Sequence, residues 1–315
     1  MTSERQTVLF TGGLGRSGST LIEKLLNELP DTFSVGETVH LWERGVRDHE
    51  RCGCGEPFAE CAHWQSVGVE AFGGWDQLDV DRLIDLRWSI DRSRRLPQIF
   101  AALKSRQLNT DEVEYVDHLR RVLLAAATTA GGPQVLLESS KHLSTATLLA
   151  TDPSLDVRVL HLVRDPRGVA YSWTKEVKRP EAGPDEVMPI YRPERTALRW
   201  VTDNLGFRTL AQLGVPTMTL RYEDFLTRPT QTIRYIAEFA GLSIEDGQLG
   251  FLDGNEAKLR TPMHSIAGNP LRFGGADLTL RLDDAWKTQL DPTSRRIVTA
   301  ITAPVLGHFG YPLRP

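Results

Sequence analysis

The stretch Gly12-Gly13-Leu14-Gly15-Arg16-Ser17-Gly18-Ser19-Thr20-Leu21 decides the fold. It follows the apolar run Val8-Leu9-Phe10 and opens the apolar-periodic segment Leu21-Ile22-Glu23-Lys24-Leu25-Leu26, so it reads as strand, tight loop, helix. Backbone N–H groups of such a loop converge on one point, backed by the positive end of a helix, and that point attracts phosphate. Against the P-loop pattern, Gly13 and Gly18 hold the two glycine positions and Thr20 the hydroxyl position. Ser19 stands where the lysine belongs, and the cation has moved to Arg16. Nucleoside triphosphatases need that lysine for the β- and γ-phosphates, so this loop suits a 5′-phosphate-type group with no γ-phosphate.

Outward from the loop, strand-like runs recur at 8–11, 32–35, 135–138, 157–163 and 216–221. Helix-like stretches lie between or after them at 21–29, 143–150, 168–175, 194–213 and 230–240, with two or three more within 77–130, of which 113–129 is the clearest. This alternation predicts an α/β, P-loop-like three-layer fold with a mostly parallel central sheet flanked by helices. In such folds ligands bind beyond the carboxyl ends of the strands. Residues 1–315 are expected to form a single domain, with a lid or acceptor-side insertion at about 40–130. Residues 177–193, which carry Pro180, Gly183, Pro184, Pro189 and Pro193, read as a loop.

Composition narrows the partners. Apolar content of 40% and charged content of 25% are those of an ordinary globular protein, and a net charge of −4 argues against a general nucleic-acid surface. No run reaches about 18 apolar residues, so no transmembrane helix is expected. The start, Met1-Thr2-Ser3-Glu4-Arg5-Gln6, lacks the apolar core of a signal peptide, and a cytoplasmic location is the expectation. Cys52, Cys54 and Cys61 are the three cysteines, an odd number that suggests no disulfide framework. With His63 they offer four ligands to a metal in a spacing that matches no standard zinc finger, so a zinc site and a reduced glycine-bearing loop both stand as readings. The tryptophans Trp42, Trp64, Trp75 and Trp88 are read as core or as stacking surfaces for an acceptor ring.

The strand ends carry the remaining chemistry. Gly36-Glu37-Thr38 follows the second strand and offers Glu37 as a general base or an ion-paired glutamate. Glu138-Ser139-Ser140-Lys141-His142 follows the third, where Lys141 can meet charge on a departing oxygen and the serines can cradle an anion or cap a helix. Arg164-Asp165-Pro166-Arg167 follows the fourth, with Ser172 eight positions after Arg164, and the two can reach one phosphate unless Arg164 pairs with Asp165.

Together these pieces resemble the sulfotransferases that use 3′-phosphoadenosine 5′-phosphosulfate (PAPS), on the carbohydrate and tyrosylprotein side of that family. The resemblance implies that Gly15, Arg16, Ser17, Gly18, Ser19 and Thr20 hold the 5′-phosphosulfate, and that Arg164 and Ser172 hold the 3′-phosphate. It further implies that Tyr222, within Arg221-Tyr222-Glu223-Asp224-Phe225, approaches the adenine. Gly268-Asn269-Pro270-Leu271-Arg272 resembles the closing loop, with Arg272 as a second 3′-phosphate cation. The branch uses glutamate as base, hence Glu37, with Arg16 and Lys141 on the leaving-group side. The phenol and steroid branch uses a histidine after the third strand, which keeps His142 as a candidate, and has a tryptophan where this chain has Leu21. The implied reaction is sulfuryl transfer from PAPS to a hydroxyl acceptor such as a carbohydrate, a lipid or another small molecule, without a metal. A kinase or nucleoside triphosphatase with an altered loop, and a non-catalytic nucleotide-binding protein, are the alternatives. Acceptor and oligomeric state are not readable from the residues.

Overall fold

The computed structural model describes residues 5–179, 181, 183, 185–273 and 277–314. Its centre is a five-stranded sheet of β1 (Gln6–Gly12), β2 (Thr32–Gly36), β3 (Val135–Lys141), β4 (Leu155–Val163) and β5 (Thr217–Arg221), in the order β2-β3-β1-β4-β5. Every neighbouring pair is parallel. The five runs read from sequence are these five strands. β1 and β4 are the most legible because a parallel sheet is covered on both faces, so their central residues are apolar.

The period of two sorts β1 between two cores. Val8 and Phe10 enter a cluster with Val35, Leu136, Val157 and Val159 that continues into the insertion through Trp42, Phe58 and Trp64. Leu9 enters the opposite cluster with Leu137, Leu160 and Leu162, covered by Ile22 and Leu25 from α1 (Ser19–Leu26).

Residues 40–130, read in sequence as an insertion, carry α2 (Ala62–Phe72), α3 (Val80–Ile90), α4 (Leu96–Ser105) and α5 (Thr110–Thr129). Asn109 and Glu112 form a reciprocal capping box at the start of α5. Residues 41–47, for which no element was read in sequence, form a π-helical run that buries Leu41, Trp42 and Val46. Trp42 and Trp64 are core, 1% and 0% exposed, whereas Trp88 is 42% exposed beneath the guanidinium of Arg87.

Beyond β3 come α6 (Leu143–Leu149), α7 (Pro166–Thr174), α8 (Pro193–Gln212), α9 (Tyr222–Thr227) and α10 (Pro229–Ala240). Two later features went unread. The strands β6 (Leu252–Asp253), β7 (Glu256–Lys258) and β8 (Asp277–Thr279) make a small antiparallel sheet, and their brevity hides them from any periodicity. After α11 (Trp286–Gln289), α12 (Pro292–Leu306) is capped by Asp291 and packs on α7 and α8; its internal Pro304 argues against a helix in sequence. Within the predicted loop 177–193, Pro180 and Pro184 lie outside the described residues, Pro189 is not helical, and Pro193 starts α8. No helix among the described residues is long and apolar enough to cross a membrane.

Candidate active site

The carboxyl ends of β1, β3 and β4 meet at one edge, where Gly12 is in register with both Lys141 and His161. The loop leaving β1 bends back over this edge. Gly13 has φ +119°, and a Cβ there would lie 2.3 Å from the Leu162 carbonyl oxygen. Gly18, at φ +94°, is the N-cap of α1, and a Cβ there would meet the Tyr222 ring at 2.4 Å. Among the described residues no side chain caps α1, so the first-turn N–H groups stay open to an oxyanion. Arg16 is bent into the left-handed region, φ 73°, with its guanidinium 5.0 Å from the Trp173 ring centre and Nη2 donating to Met188 Sδ at 3.2 Å. Its Nε is buried without a partner among the described residues, and burial pulls the guanidinium down from its usual range. Trp173 also donates to the Gly15 carbonyl at 3.0 Å, a clamp on the loop that sequence reading missed.

At the ends of β2 and β3 stands an ion pair. Lys141 Nζ donates to Glu37 Oε1 at 2.5 Å and to the Ser139 carbonyl at 2.7 Å. Lys141 has φ 67°, the left-handed turn that directs its side chain back towards β2. Glu37 is held through its backbone, which donates to the Ile266 carbonyl at 2.8 Å. His40 Nε2 lies 3.6 Å from Glu37 Oε2, and burial, then Arg44, push its pKa well below the ordinary histidine value. His40 was not singled out in the sequence, since a histidine three positions after Glu37 has no motif to mark it.

Neither serine of β3 caps α6, whose N-cap is His142. Ser139 donates to Glu23 Oε2 at 2.7 Å, and Ser34 donates to the other oxygen of the same carboxylate. Ser140 donates to Glu138, whose Oε1 also accepts from the Thr38 hydroxyl at 2.7 Å and backbone at 3.0 Å. Burial pushes Glu23 up to about 7 and raises Glu138 as well. These buried carboxyls join α1, β2 and β3 beneath the Glu37–Lys141 pair. His142 bonds to Asp91, which also accepts from Ser144, and its ring meets that of His40 edge-on with the centres 6.2 Å apart.

On the other side, Asp165 is committed to Arg167, accepting from Nε at 2.8 Å and Nη2 at 2.6 Å. Arg164 is therefore not paired with its neighbour. It donates through Nη1 to the Arg16 carbonyl at 3.1 Å and through Nη2 to Asp283 Oδ2 at 3.3 Å, and it stacks 4.8 Å from the Tyr222 ring centre. Lys175 Nζ reaches the same Asp283 oxygen at 3.7 Å. Ser172 is half-buried one helical turn before Lys175. Asp283 and Lys175 were both missed, because neither lies in a recognisable motif.

Arg272 ends the short helical turn that begins at Pro270. It is 2% exposed, donates to the Arg51 carbonyl at 2.9 Å, and its Nε and Nη1 are buried without partners among the described residues. Its Cδ and Glu37 Oε1 both flank Gly268. The structure thus brings Arg272 beside Glu37, and the described contacts of Arg272 and Arg164 share no partner. Asn269 accepts from the Leu271 backbone at 3.0 Å and so shapes the turn that carries Arg272. Of the four metal-ligand candidates, Cys52, Cys54 and Cys61 do converge, but His264 and not His63 completes the group.

Comparison with known proteins fits this geometry. The sequence profile described as the Sulfotransferase family matches residues 9–246. Carbohydrate sulfotransferase 3 of Mus musculus is 28% identical over 180 residues, covering 52% of this chain and 36% of that protein. Carbohydrate sulfotransferase 6 of Homo sapiens is 24% identical over 326 residues, covering 94% and 78%. The chain thus spans about a third of the length of the first of these relatives. A solved sulfotransferase domain from the curacin biosynthetic pathway superposes with a TM-score of 0.50 at 20% identity, covering 98% of this chain and 100% of that one, a likeness of fold. With an uncapped glycine loop after β1, a β2-β3-β1-β4-β5 sheet and a profile match over most of its length, the chain belongs to the sulfotransferase family.

Proposed function

We propose that the protein transfers a sulfuryl group from PAPS to a hydroxyl acceptor, with residues 1–315 acting as one catalytic unit. The observation that carries this reading is the Glu37–Lys141 pair at the sheet edge beside the open N-terminus of α1. It sets a base and a cation side by side where a 5′-linked group would be held. Unpartnered buried donors on Arg16 and Arg272 fit an anionic ligand.

In this reading the N–H groups at Gly18–Thr20 and the Arg16 guanidinium bind the phosphosulfate. Lys141 neutralises the oxygen that stays with the departing nucleotide, and in moving towards it releases Glu37. Glu37 then accepts the proton of the attacking hydroxyl. The S–O bond to the nucleotide breaks as the S–O bond to the acceptor forms. The products are the sulfate ester and adenosine 3′,5′-bisphosphate, and the proton rests on Glu37. The relatives named above are carbohydrate sulfotransferases, so a carbohydrate hydroxyl is the acceptor class to test first. The absence of a lysine at Ser19 weighs against the kinase alternative.

The direct test is transfer of labelled sulfate from PAPS to a panel of hydroxyl acceptors in EDTA. Calorimetry in the same buffer should give a micromolar or tighter Kd for adenosine 3′,5′-bisphosphate, at least about 8 kcal/mol. Strict dependence of binding on magnesium sinks the sulfotransferase reading.

The assignment of Arg164 to the 3′-phosphate makes a separate prediction. Arg164→Ala should weaken PAPS at least about tenfold, since a hydrogen bond to a charged group contributes about 1.5–3 kcal/mol. Because Arg164 also holds the Arg16 carbonyl, adenosine 5′-phosphosulfate should weaken too, but less. Titrating both ligands into both proteins gives the ratio that matters. Equal losses assign Arg164 to support of the 5′ loop alone.

A further inference from the structure

Away from the phosphate loop, three sulfurs and one ring nitrogen enclose a single point. Cys61 Sγ lies 3.7 Å from Cys52 Sγ and 3.8 Å from Cys54 Sγ. His264 Nδ1 lies 3.3 Å from Cys61 Sγ and 3.8 Å from Cys52 Sγ, and all four atoms fall within 4.8 Å of one another. Tetrahedral zinc with bonds of about 2.3 Å to sulfur and about 2.0–2.1 Å to nitrogen requires edges of about 3.8 Å between sulfurs and about 3.6 Å from sulfur to nitrogen. Four of the six separations, 3.3 to 3.8 Å, are close to those edges, and the other two are no longer than 4.8 Å.

We propose that Cys52, Cys54, Cys61 and His264 form a structural zinc site that pins the acceptor-side insertion to the C-terminal segment.

Four further observations support it. The backbone N–H groups of Cys54, Glu56 and Trp64 bond to the sulfurs of Cys52, Cys54 and Cys61 respectively, each from two or three residues onward, as in a turn built around metal-bound thiolates. Gly55, at φ +99°, lets the chain turn so that its N–H donates to the Cys52 carbonyl at 2.9 Å. Gly53 lets the turn approach closely, since a Cβ there would lie 2.8 Å from the Met263 carbonyl oxygen. His264 is fixed in place by its own backbone, whose carbonyl accepts from Trp64 Nε1 at 2.7 Å, and by stacking on Phe33.

A disulfide satisfies this arrangement poorly. Cys61 is nearly equidistant from two sulfurs, far beyond a bond of about 2.05 Å, and pairing with either leaves the third thiol and the histidine without a role. The donor set of three thiolates and a neutral imidazole, closed to a fifth ligand, is that of a structural zinc. Binding replaces thiol protons with the metal and releases them to solvent.

The site's position gives it a consequence for the sheet edge. His264 begins the segment in which Ile266 donates to the Val35 carbonyl at 3.2 Å and accepts from the Glu37 N–H at 2.8 Å. Gly53 donates to the Ser265 carbonyl at 3.0 Å. The metal therefore fastens the strand-like segment that fixes the backbone of Glu37.

The test is metal analysis of the full chain, purified without chelator and under reducing conditions. Zinc near one equivalent per chain is the expected result, with iron and copper at background. After stripping with chelator and reductant, titration with cobalt(II) should give tetrahedral d–d bands and thiolate-to-cobalt charge transfer that saturate at one equivalent. Apo protein should melt at a lower Tm than the zinc form, because metal binding free energy adds to folding free energy. Cys61→Ser and His264→Ala should abolish the cobalt spectrum, and His63→Ala should keep it. If Cys61→Ser fails to fold, the wild-type zinc content and cobalt titration decide alone. A reduced wild-type protein that carries no zinc and shows no tetrahedral cobalt spectrum overturns the proposal, as does an unchanged spectrum in His264→Ala. None of these readouts depends on PAPS, so the site stands or falls apart from the transferase reading.

Discussion

Glu37→Gln is expected to lower kcat by about 10²–10⁴ while nucleotide affinity stays within a few-fold of wild type. The substitution keeps the size of the side chain and removes the proton acceptor. The backbone of residue 37 remains held by Ile266, so the loss reports chemistry and not collapse of the edge. Lys141 Nζ keeps the Ser139 carbonyl as a partner when its carboxylate is neutralised, which limits the structural cost. The distribution of the loss between kcat and Kd is the informative part, because a base contributes only when the acceptor proton moves. His142→Ala serves as the comparison. Among the described residues His142 is bonded to Asp91 and not to Glu37 or Lys141, so its loss should leave kcat within about tenfold. Steady-state rates with a competent acceptor, together with calorimetry for adenosine 3′,5′-bisphosphate, separate the two cases. A nearly normal Glu37→Gln beside an inactive His142→Ala moves the base to His142.

The parts of this protein that were legible in sequence are those where local chemistry and fold agree. Val8-Leu9-Phe10 and the glycines after it announce a buried strand and a tight glycine turn into a helix within a dozen residues, and the structure has both. The five strands and the helices α6 to α8 and α10 were equally readable, since each carries an uninterrupted period or a clean terminus. The unread features share a different cause. β6, β7 and β8 are two or three residues long, below any period, and α12 hides behind Pro304.

Within the site, single motifs were visible and their pairings were not. Glu37 and Lys141 could each be picked out at a strand end, but that they form one ion pair depends on the left-handed turn at Lys141. Arg164 was readable as a phosphate ligand or as a partner of Asp165; only the bidentate Arg167–Asp165 bond decides that Asp165 is taken. His264 lies more than two hundred residues from Cys52, so no spacing rule connects them, and His63 was the nearer histidine to nominate. Chain distance conceals exactly those contacts that a sheet with crossovers brings together.

Gly13→Ala should be the most disruptive small substitution in the phosphate loop, costing about 3 kcal/mol or more and lowering Tm by about 4–5 °C or more. Two independent causes add. The φ of +119° is one that an L side chain rarely adopts, a strain of about 1–3 kcal/mol. The added Cβ would also lie 2.3 Å from the Leu162 carbonyl oxygen, a backbone atom in β4. Leu162 cannot withdraw cheaply, because β4 is held between β1 and β5 and is paired with Leu220. The loop must shift instead, and with it the N-terminus of α1, so nucleotide affinity should fall together with stability. Gly15→Ala is the graded comparison. Its Cβ would lie 2.9 Å from the edge of the Trp173 ring, a side chain that can tilt aside, so a smaller loss is expected. Gly247→Ala is the blank, with open space around its Cβ and an ordinary φ, and should stay within about 0.5 kcal/mol of wild type. Thermal or denaturant unfolding of the three variants, with and without adenosine 3′,5′-bisphosphate, checks the order. If Gly13→Ala melts with the wild type and binds the nucleotide as tightly, the close approach of the loop to β4 is not what holds the phosphate site in shape.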